Sequence, residues 1–318
     1  MAENPLAGVV GHPVSHSLSP QIFALLSKRI GTALDYRRVD LPPGSLDLAV
    51  DFNRATALFR GWNVTIPHKH AILAHLDHCS PEARALGAVN VVDFSRGRAH
   101  GHNTDVMGIR ATLAMQGWKP KGRSAVIYGA GGAAAAVGWV LGELKCPTVY
   151  LIAREGCASV ARARALSRRL GKHFPRTRFL AMTDRNEIPQ SGPRRARSAF
   201  ISPAGPWHAT AGLYVNATPL GMQGYAATSP ARAPLNPRAL AFDLVYRPLI
   251  TPFLRQAQRA GLTTVGGLDM LVAQAIGTWE IWFGRLAAPE RQGLHRYLYR
   301  GLSQELRRQN PSAIGAKP

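Results

Sequence analysis

Cysteine is scarce in this chain of 318 residues. Its three, Cys79, Cys146 and Cys157, are too few and too scattered for a disulfide framework and match no zinc spacing, which predicts a reducing, cytoplasmic setting. His75 and His78 share a helix face beside Cys79, but no fourth ligand is spaced nearby, so no metal is expected. Carboxylates are also in short supply: 18 Asp and Glu against 39 Lys and Arg give a formal charge of +21. That balance suits an anionic substrate or a nucleic acid. The basic stretches at 161–179 and 192–198, however, lack the interleaved aromatics of a single-strand binder. They read as a solvated helix face followed by a basic loop, and a nucleic-acid partner is disfavoured. The N-terminus has neither a basic start nor a long apolar run, so no secretory signal is expected. One uncharged run, Ser124 to Gly142, is long enough to raise the question of a membrane, and its glycines and strand-then-helix pattern predict a buried α/β segment instead.

With 46% apolar residues the chain can fill two domain cores. Strand patterns at 6–11, 35–39, 61–65 and 88–93 alternate with helical ones near 20–30, 45–59 and 68–77, which defines an α/β region. Ser19-Pro20 reads as a helix start, with Ser19 as the cap. A second α/β unit begins at "RSAVIYGAGGAAAAVGWVLG". Strands follow at 147–152, 177–182, 213–216 and 240–245, and helices at 251–260, 268–285 and about 289–308 close the chain. Residues 183–212, rich in Pro, Ser, Gly and Arg without a period, read as a loop insertion, and the tail beyond Arg308 as disordered.

Within "YGAGGAAAA", Gly129-x-Gly131-x-x-Ala134 is a variant of the dinucleotide fingerprint. Its glycines permit a tight turn and let backbone approach a pyrophosphate at a helix N-terminus. The strand before it and the helix after it supply the context this motif requires. After the second strand come Ala153, Arg154 and Glu155: the arginine suits the 2′-phosphate of NADP and the glutamate suits ribose hydroxyls, so NADP is favoured and NAD stays open.

In "NVTIPHK", a strand ends by presenting Asn63, Thr65 and Lys69 together. Taken alone, Lys69 would be a solvated lysine and Asp105 a first-turn carboxylate stabilising its helix. The convergence of Ser17, Ser19, Asn63 and Asn90 with them reverses both readings, since one core does not need so many polar groups. His16, His68 and His70 are expected at the surface or behind the site.

"GHPVSHSLSP", "NVTIPHK", "GAVNVV", "GHNTDVMG", "VNATPLGM", "DLVYRPLITPFL" and "VGGLDMLVAQA" together resemble the shikimate dehydrogenase family over nearly all of residues 6 to 285, except about 171 to 212. The resemblance implies an N-terminal α/β substrate domain and a Rossmann-type dinucleotide-binding domain with an interdomain cleft. The expected division is 1–107, completed by 268–318, against 108–267. It implies reversible NADP-dependent reduction of 3-dehydroshikimate to shikimate, in aromatic amino-acid and chorismate biosynthesis. Ser17 and Ser19 would hold the substrate carboxylate, and Asn63, Thr65, Asn90, Asp105 and Gln274 its hydroxyls. Tyr246 lies in another substrate-facing segment, and Lys69 with Asp105 would be the catalytic pair. Gly129, Ala130, Gly131, Gly132, Ala133 and Arg154 match the family's cofactor-binding segments, and Leu244 and Gly267 fall where it touches the nicotinamide.

The chain departs from the family at Ala153 and Glu155, where Asn and Thr are common, at Ala135, where arginine is usual, and at Asp269, often glycine. A paralogue acting on quinate or amino-shikimate, perhaps with NAD, is therefore a live alternative, and so from another class is a basic nucleic-acid binder on the same scaffold. Ser17, Ser19 and Asp105 argue against a methylenetetrahydrofolate dehydrogenase. A monomer and a homodimer fit equally.

Overall fold

The computed structural model describes residues 4–15, 17–95, 97–154, 156–183, 211–232 and 234–309. The chain divides into two compact units, Met1–Gly108 with Leu271–Glu305, and Ile109–Met270 with Leu306–Pro318.

The first unit contains β1 (Leu6–Gly11), α1 (Ser19–Ile30), β2 (Asp35–Asp40), α2 (Leu46–Thr56), β3 (Phe59–Val64), α3 (His68–Ala71), β4 (His78–Cys79), α4 (Pro81–Leu86), β5 (Val91–Ser95), β6 (Arg98–His102) and the start of α5 (Thr104–Met115). Its sheet runs β2-β1-β3-β5-β6-β4. β1 is parallel to β2 and β3, and β5 is antiparallel to β3 and β6. Helix α1 holds itself to the sheet by burying Ile22, Phe23 and Leu26, each worth ~1.5–3 kcal/mol. Its start differs from the sequence reading: Leu18 is the cap residue, no side chain caps the helix, and the Ser19 hydroxyl instead accepts from Ser17. The strand expected at 88–93 begins only at Val91, because Asn90 is held in a bend by the Thr104 backbone N–H donating to its Oδ1 at 2.7 Å. The helix expected over 68–77 gives way to a 3-10 turn at Ile72–His75, and β4, α4 and β6 are too short to show a period.

The second unit contains β7 (Ser124–Tyr128), α6 (Gly132–Glu143), β8 (Thr148–Ala153), α7 (Cys157–His173), β9 (Arg178–Thr183), β10 (Ala211–Asn216), β11 (Leu240–Asp243), α8 (Pro252–Arg259), β12 (Thr263–Val265) and the first turn of α9 (Gly267–Phe283). The rest of α9 and most of α10 (Ala288–Gln309) belong to the first unit, and α10 from Leu306 onward groups with the second. Its sheet is wholly parallel, in the order β12-β11-β10-β7-β8-β9. β7 is thus the first strand, with the chain wound outward on both sides of it, and such sheets take dinucleotides at the carboxyl end of that switch point. The uncharged run from Ser124 to Gly142 becomes β7, buried at every residue, and α6, buried from Ala134 to Gly142. A helix apolar all round is a core helix. Among the described residues no helix is long and apolar enough to cross a membrane. Of the insertion expected at 183–212, residues 184–210 lie outside the described set, while its flanks are the strand ends Thr183 and Ala211. Residues 310–318, with the expected disordered tail, also lie outside that set, as do His16 and Glu155.

Candidate active site

In the first unit the polar residues gather where β1, β3 and β5 meet the starts of α1 and α5. Lys69, in the short helix after β3, donates from Nζ to Asp105 Oδ2 at 2.8 Å, and its side chain is 31% exposed. Asp105 is held from its other oxygen by Asn90 Nδ2 at 2.9 Å. Asn90, 4% exposed, is fixed in turn at Oδ1 by the Thr104 N–H. The amide therefore has no freedom to flip, and Asp105 is aimed by two donors on opposite sides. Thr104 Oγ1 reaches Gln274 Oε1 at 3.1 Å and Thr278 Oγ1 at 3.3 Å, which ties α9 to this corner.

Asn63 is buried at 7% exposure, accepts at Oδ1 from the Tyr36 hydroxyl at 2.7 Å, and points Nδ2 toward Thr278 Oγ1 at 3.4 Å. Tyr36 stacks on Phe23 with ring centroids 4.4 Å apart. Burial pushes its phenol well above the ordinary range, against smaller downward pulls from Ser19 and Arg38. Ser17 and Ser19 share a hydrogen bond of 3.2 Å, and Arg38 steadies their loop by donating to the Ser17 carbonyl at 2.8 Å. Thr65 is half-buried at the end of β3, its backbone N–H bonded to Val10. The neighbouring histidines are engaged elsewhere: His68 Nε2 meets the Leu41 carbonyl and His70 Nδ1 the Gly87 carbonyl, both at 2.6 Å.

Thus Ser17, Ser19, Asn63, Thr65, Lys69, Asn90, Asp105 and Gln274 all lie in one unit. Tyr246 does not. It follows β11 in the second unit, half-buried, with burial raising its phenol. Sequence reading missed Tyr36, Thr104 and Thr278 as positioning groups. Thr104 had a signal, since it stands between Asn103 and Asp105 in a recognised segment; Tyr36, in the polar edge strand "DYRRVD", had none.

In the second unit the sheet register sets Tyr128 of β7, Asn216 of β10 and Asp243 of β11 level at the carboxyl ends. Just beyond, Gly129 has φ +112°, where side chains are strained, and a Cβ there would stand 2.9 Å from the Ala217 carbonyl oxygen. Gly131 and Gly132 face open space at the start of α6, whose free N–H groups no side chain caps. A turn that close to backbone, with uncapped donors and open space in front, fits a dinucleotide pyrophosphate. Ala130 is half-buried, Ala133 is exposed, and Arg154 is exposed directly after β8. Ala135, where arginine would be usual, is 2% exposed. Asp269 lies in the first turn of α9, where the helix dipole favours a carboxylate.

Leu244 and Gly267 adjoin one another, the Gly267 N–H donating to the Val245 carbonyl at 3.2 Å. This corner is organised by Asp243, which is fully buried. It accepts from Thr251 Oγ1 at 2.6 Å, from the Val245 N–H at 2.9 Å and from Asn216 Nδ2 at 3.0 Å. Burial nevertheless outweighs those donors and pushes its carboxyl up to about 6. A carboxyl raised on folding binds extra protons in the folded state. Its contribution is therefore full below the unfolded value of 3.8 and lost as pH rises through about 6, a swing of ~3 kcal/mol. Asp243→Asn is expected to flatten the fall in Tm between about pH 4 and 6. Parallel Tm–pH curves for variant and wild type would refute this.

The fold and these groups define a class: proteins joining a doubly wound parallel sheet with a glycine turn to a second α/β unit that carries a lysine–carboxylate pair. Residues 9–92 match the family model described as the shikimate dehydrogenase substrate binding domain. The NADP(+) shikimate dehydrogenase of Symbiobacterium thermophilum is 41% identical over 283 residues, 88% of this chain and 89% of that protein. The chain belongs to the shikimate dehydrogenase family. A solved relative is the Thermus thermophilus shikimate 5-dehydrogenase in complex with NADP(H) and shikimate, 34% identical, with a TM-score of 0.72 over 93% of this chain and 99% of that one. Another is the Listeria monocytogenes enzyme in complex with shikimate and NAD, 26% identical, with a TM-score of 0.79 over 94% and 96%.

Proposed function

We propose that this chain is a shikimate dehydrogenase, catalysing the reversible NADP-dependent interconversion of 3-dehydroshikimate and shikimate in the cytoplasm. The observation that carries the reading is the Lys69–Asp105–Asn90 chain, with Ser17, Ser19, Asn63, Thr65 and Gln274 in the same unit. Bound NADP(H) supplies or takes the hydride. Gly129 to Ala133 would receive its pyrophosphate, Arg154 its 2′-phosphate, and Leu244 and Gly267 its nicotinamide.

The rest of the chemistry belongs to the side chains. A ketone becoming an alcohol gathers negative charge on its oxygen, and Lys69 Nζ, an ammonium, stabilises that oxygen and gives it a proton. In the reverse direction the same nitrogen removes it. Asp105, aimed by Asn90, holds Nζ in place and accepts from a substrate hydroxyl. Asn63 has its Oδ1 engaged by Tyr36 and one N–H directed at Thr278, and so offers a substrate hydroxyl its remaining N–H as donor. Ser17 and Ser19 complete the grip on the ring acid from the same unit.

The test is nicotinamide reduction followed by absorbance, with shikimate or quinate and NADP or NAD. Shikimate with NADP is the expected active pair. Arg154→Ala should raise KM for NADP about 10- to 100-fold, the value of one charge-assisted contact, and leave that for NAD unchanged. Preference for quinate or NAD would assign the chain to the paralogue reading, and silence with all four mixtures would sink both.

A further inference from the structure

The first unit has a second polar feature, remote in kind from the lysine–carboxylate site. A groove of about 440 Å³ lies between α1 and α10, lined among others by Leu25, Arg29, Arg296, Tyr297, Arg300 and Gln304. Three arginines line it, and among the described residues no acidic side chain does. Four other arginines of this unit find acids, Arg37 with Asp35, Arg54 with Asp51 and Asp77, Arg60 with Asp93, and Arg291 with Glu280, whereas Arg38, Arg84, Arg98 and Arg285, each on its own, do not among the described residues. Arg29, Arg296 and Arg300 form no ion pair among the described residues. The Arg29 guanidinium lies 6.0 Å from the Tyr297 ring centroid.

Such an arrangement is disfavoured when empty. Arg296 and Arg300 are one turn apart, and like charges at that spacing destabilise a helix. The same groove is lined by Gly293 of α10, a residue that is unfavourable within a helix relative to alanine. A Cβ at Gly293 would meet nothing within 4 Å, so close packing does not explain it, and its effect is to leave that end of the groove open. A bound anion would offset the charge repulsion. Guanidinium forks match phosphate and carboxylate oxygens in bidentate fashion, while Leu25 and the Tyr297 ring offer an apolar floor for a carbon body.

We propose that the α1–α10 groove is a binding site for a small organic anion of two or more charges, a phosphate monoester or dicarboxylate with an apolar body, held by Arg29, Arg296 and Arg300. This lies beyond the dehydrogenase reading and does not depend on it.

The test is calorimetric titration of the full-length protein at fixed ionic strength with phenyl phosphate, phthalate and inorganic phosphate. The double variant Arg296→Gln/Arg300→Gln should bind phenyl phosphate at least about tenfold more weakly than the wild type, and should lose the ligand-induced rise in Tm. Arg162→Gln/Arg168→Gln, on another surface, should retain both. Because any binding at the α6 N-terminus is common to all three proteins, the difference between them isolates the groove. Phthalate binding more tightly than phenyl phosphate would assign dicarboxylates as the ligand class, and a preference for phenyl phosphate would assign phosphate esters. Equal affinity in wild type and Arg296→Gln/Arg300→Gln, or equal affinity for inorganic and phenyl phosphate, would overturn the proposal.

Discussion

Lys69→Ala is expected to lower kcat for shikimate oxidation with NADP by about 10³-fold, within the range that loss of a positioned acid–base group produces. KM for shikimate should change far less, because the proposed grip on the ring acid by Ser17, Ser19, Asn63 and Gln274 would be intact. The fold should be indifferent. The Lys69–Asp105 pair is partly exposed, and pairs of that kind contribute little to stability, so Tm should stay within a few degrees of wild type. The physical reason for so large an effect on rate alone is that the ammonium meets full negative charge only as the carbonyl oxygen changes state, which is the condition for differential stabilisation. Asp105→Asn should fall nearly as far, since the amide would turn its own N–H toward Lys69 Nζ or toward Asn90 Nδ2, both donors, and either choice breaks one of the two contacts that aim the lysine. The double variant should then lose little more than either single one, as residues acting as a unit do. A Lys69→Ala enzyme with kcat near wild type would remove the lysine from the chemistry, and additive losses would separate the two residues.

The recognisable part of this site was local in sequence. "NVTIPHK" sets Asn63, Thr65 and Lys69 along one strand end and the turn after it, and "GHNTDVMG" sets Asp105 in the first turn of a helix, so short-range periodicity suffices to put them on display. The glycine turn of the second unit was equally plain, because strand, turn and helix are contiguous there. What stayed hidden is held by contacts across long separations. Tyr36 meets Asn63 from another strand, Thr104 meets Thr278 from 174 residues away, and Asp243 meets Thr251 within the core of the second unit. The bend at Asn90 was misread as strand because valines surround it; only its side-chain bond to the Thr104 N–H shows why pairing begins at Val91.

Gly267→Ala is expected to be the most damaging single substitution to the second unit. A Cβ at this position would coincide with the carbonyl group of Leu244, lying 2.5 Å from its carbon and 2.7 Å from the carbonyl carbon of Val245. Both obstacles are backbone, so no side-chain rotation relieves them. The backbone cannot readily retreat, because Leu244 is bonded through its N–H to the Asn216 carbonyl, and Val245 through its own to the buried Asp243. Moving it would loosen a carboxylate that has no water to turn to. Overpacking alone costs ~1–3 kcal/mol, and disturbing the Asp243 network adds to it. At roughly 2–4 °C per kcal/mol for a unit of this size, Tm should fall by about 10 °C. Cofactor use should suffer separately from stability: below the lowered Tm, KM for NADP should rise because Leu244 and Gly267 line the proposed nicotinamide position. Gly131→Ala serves as the comparison, since a Cβ there meets nothing within 4 Å and should leave Tm nearly unchanged. A Gly267→Ala protein as stable as that comparison would mean that the β11–α9 corner yields far more easily than its hydrogen bonds imply.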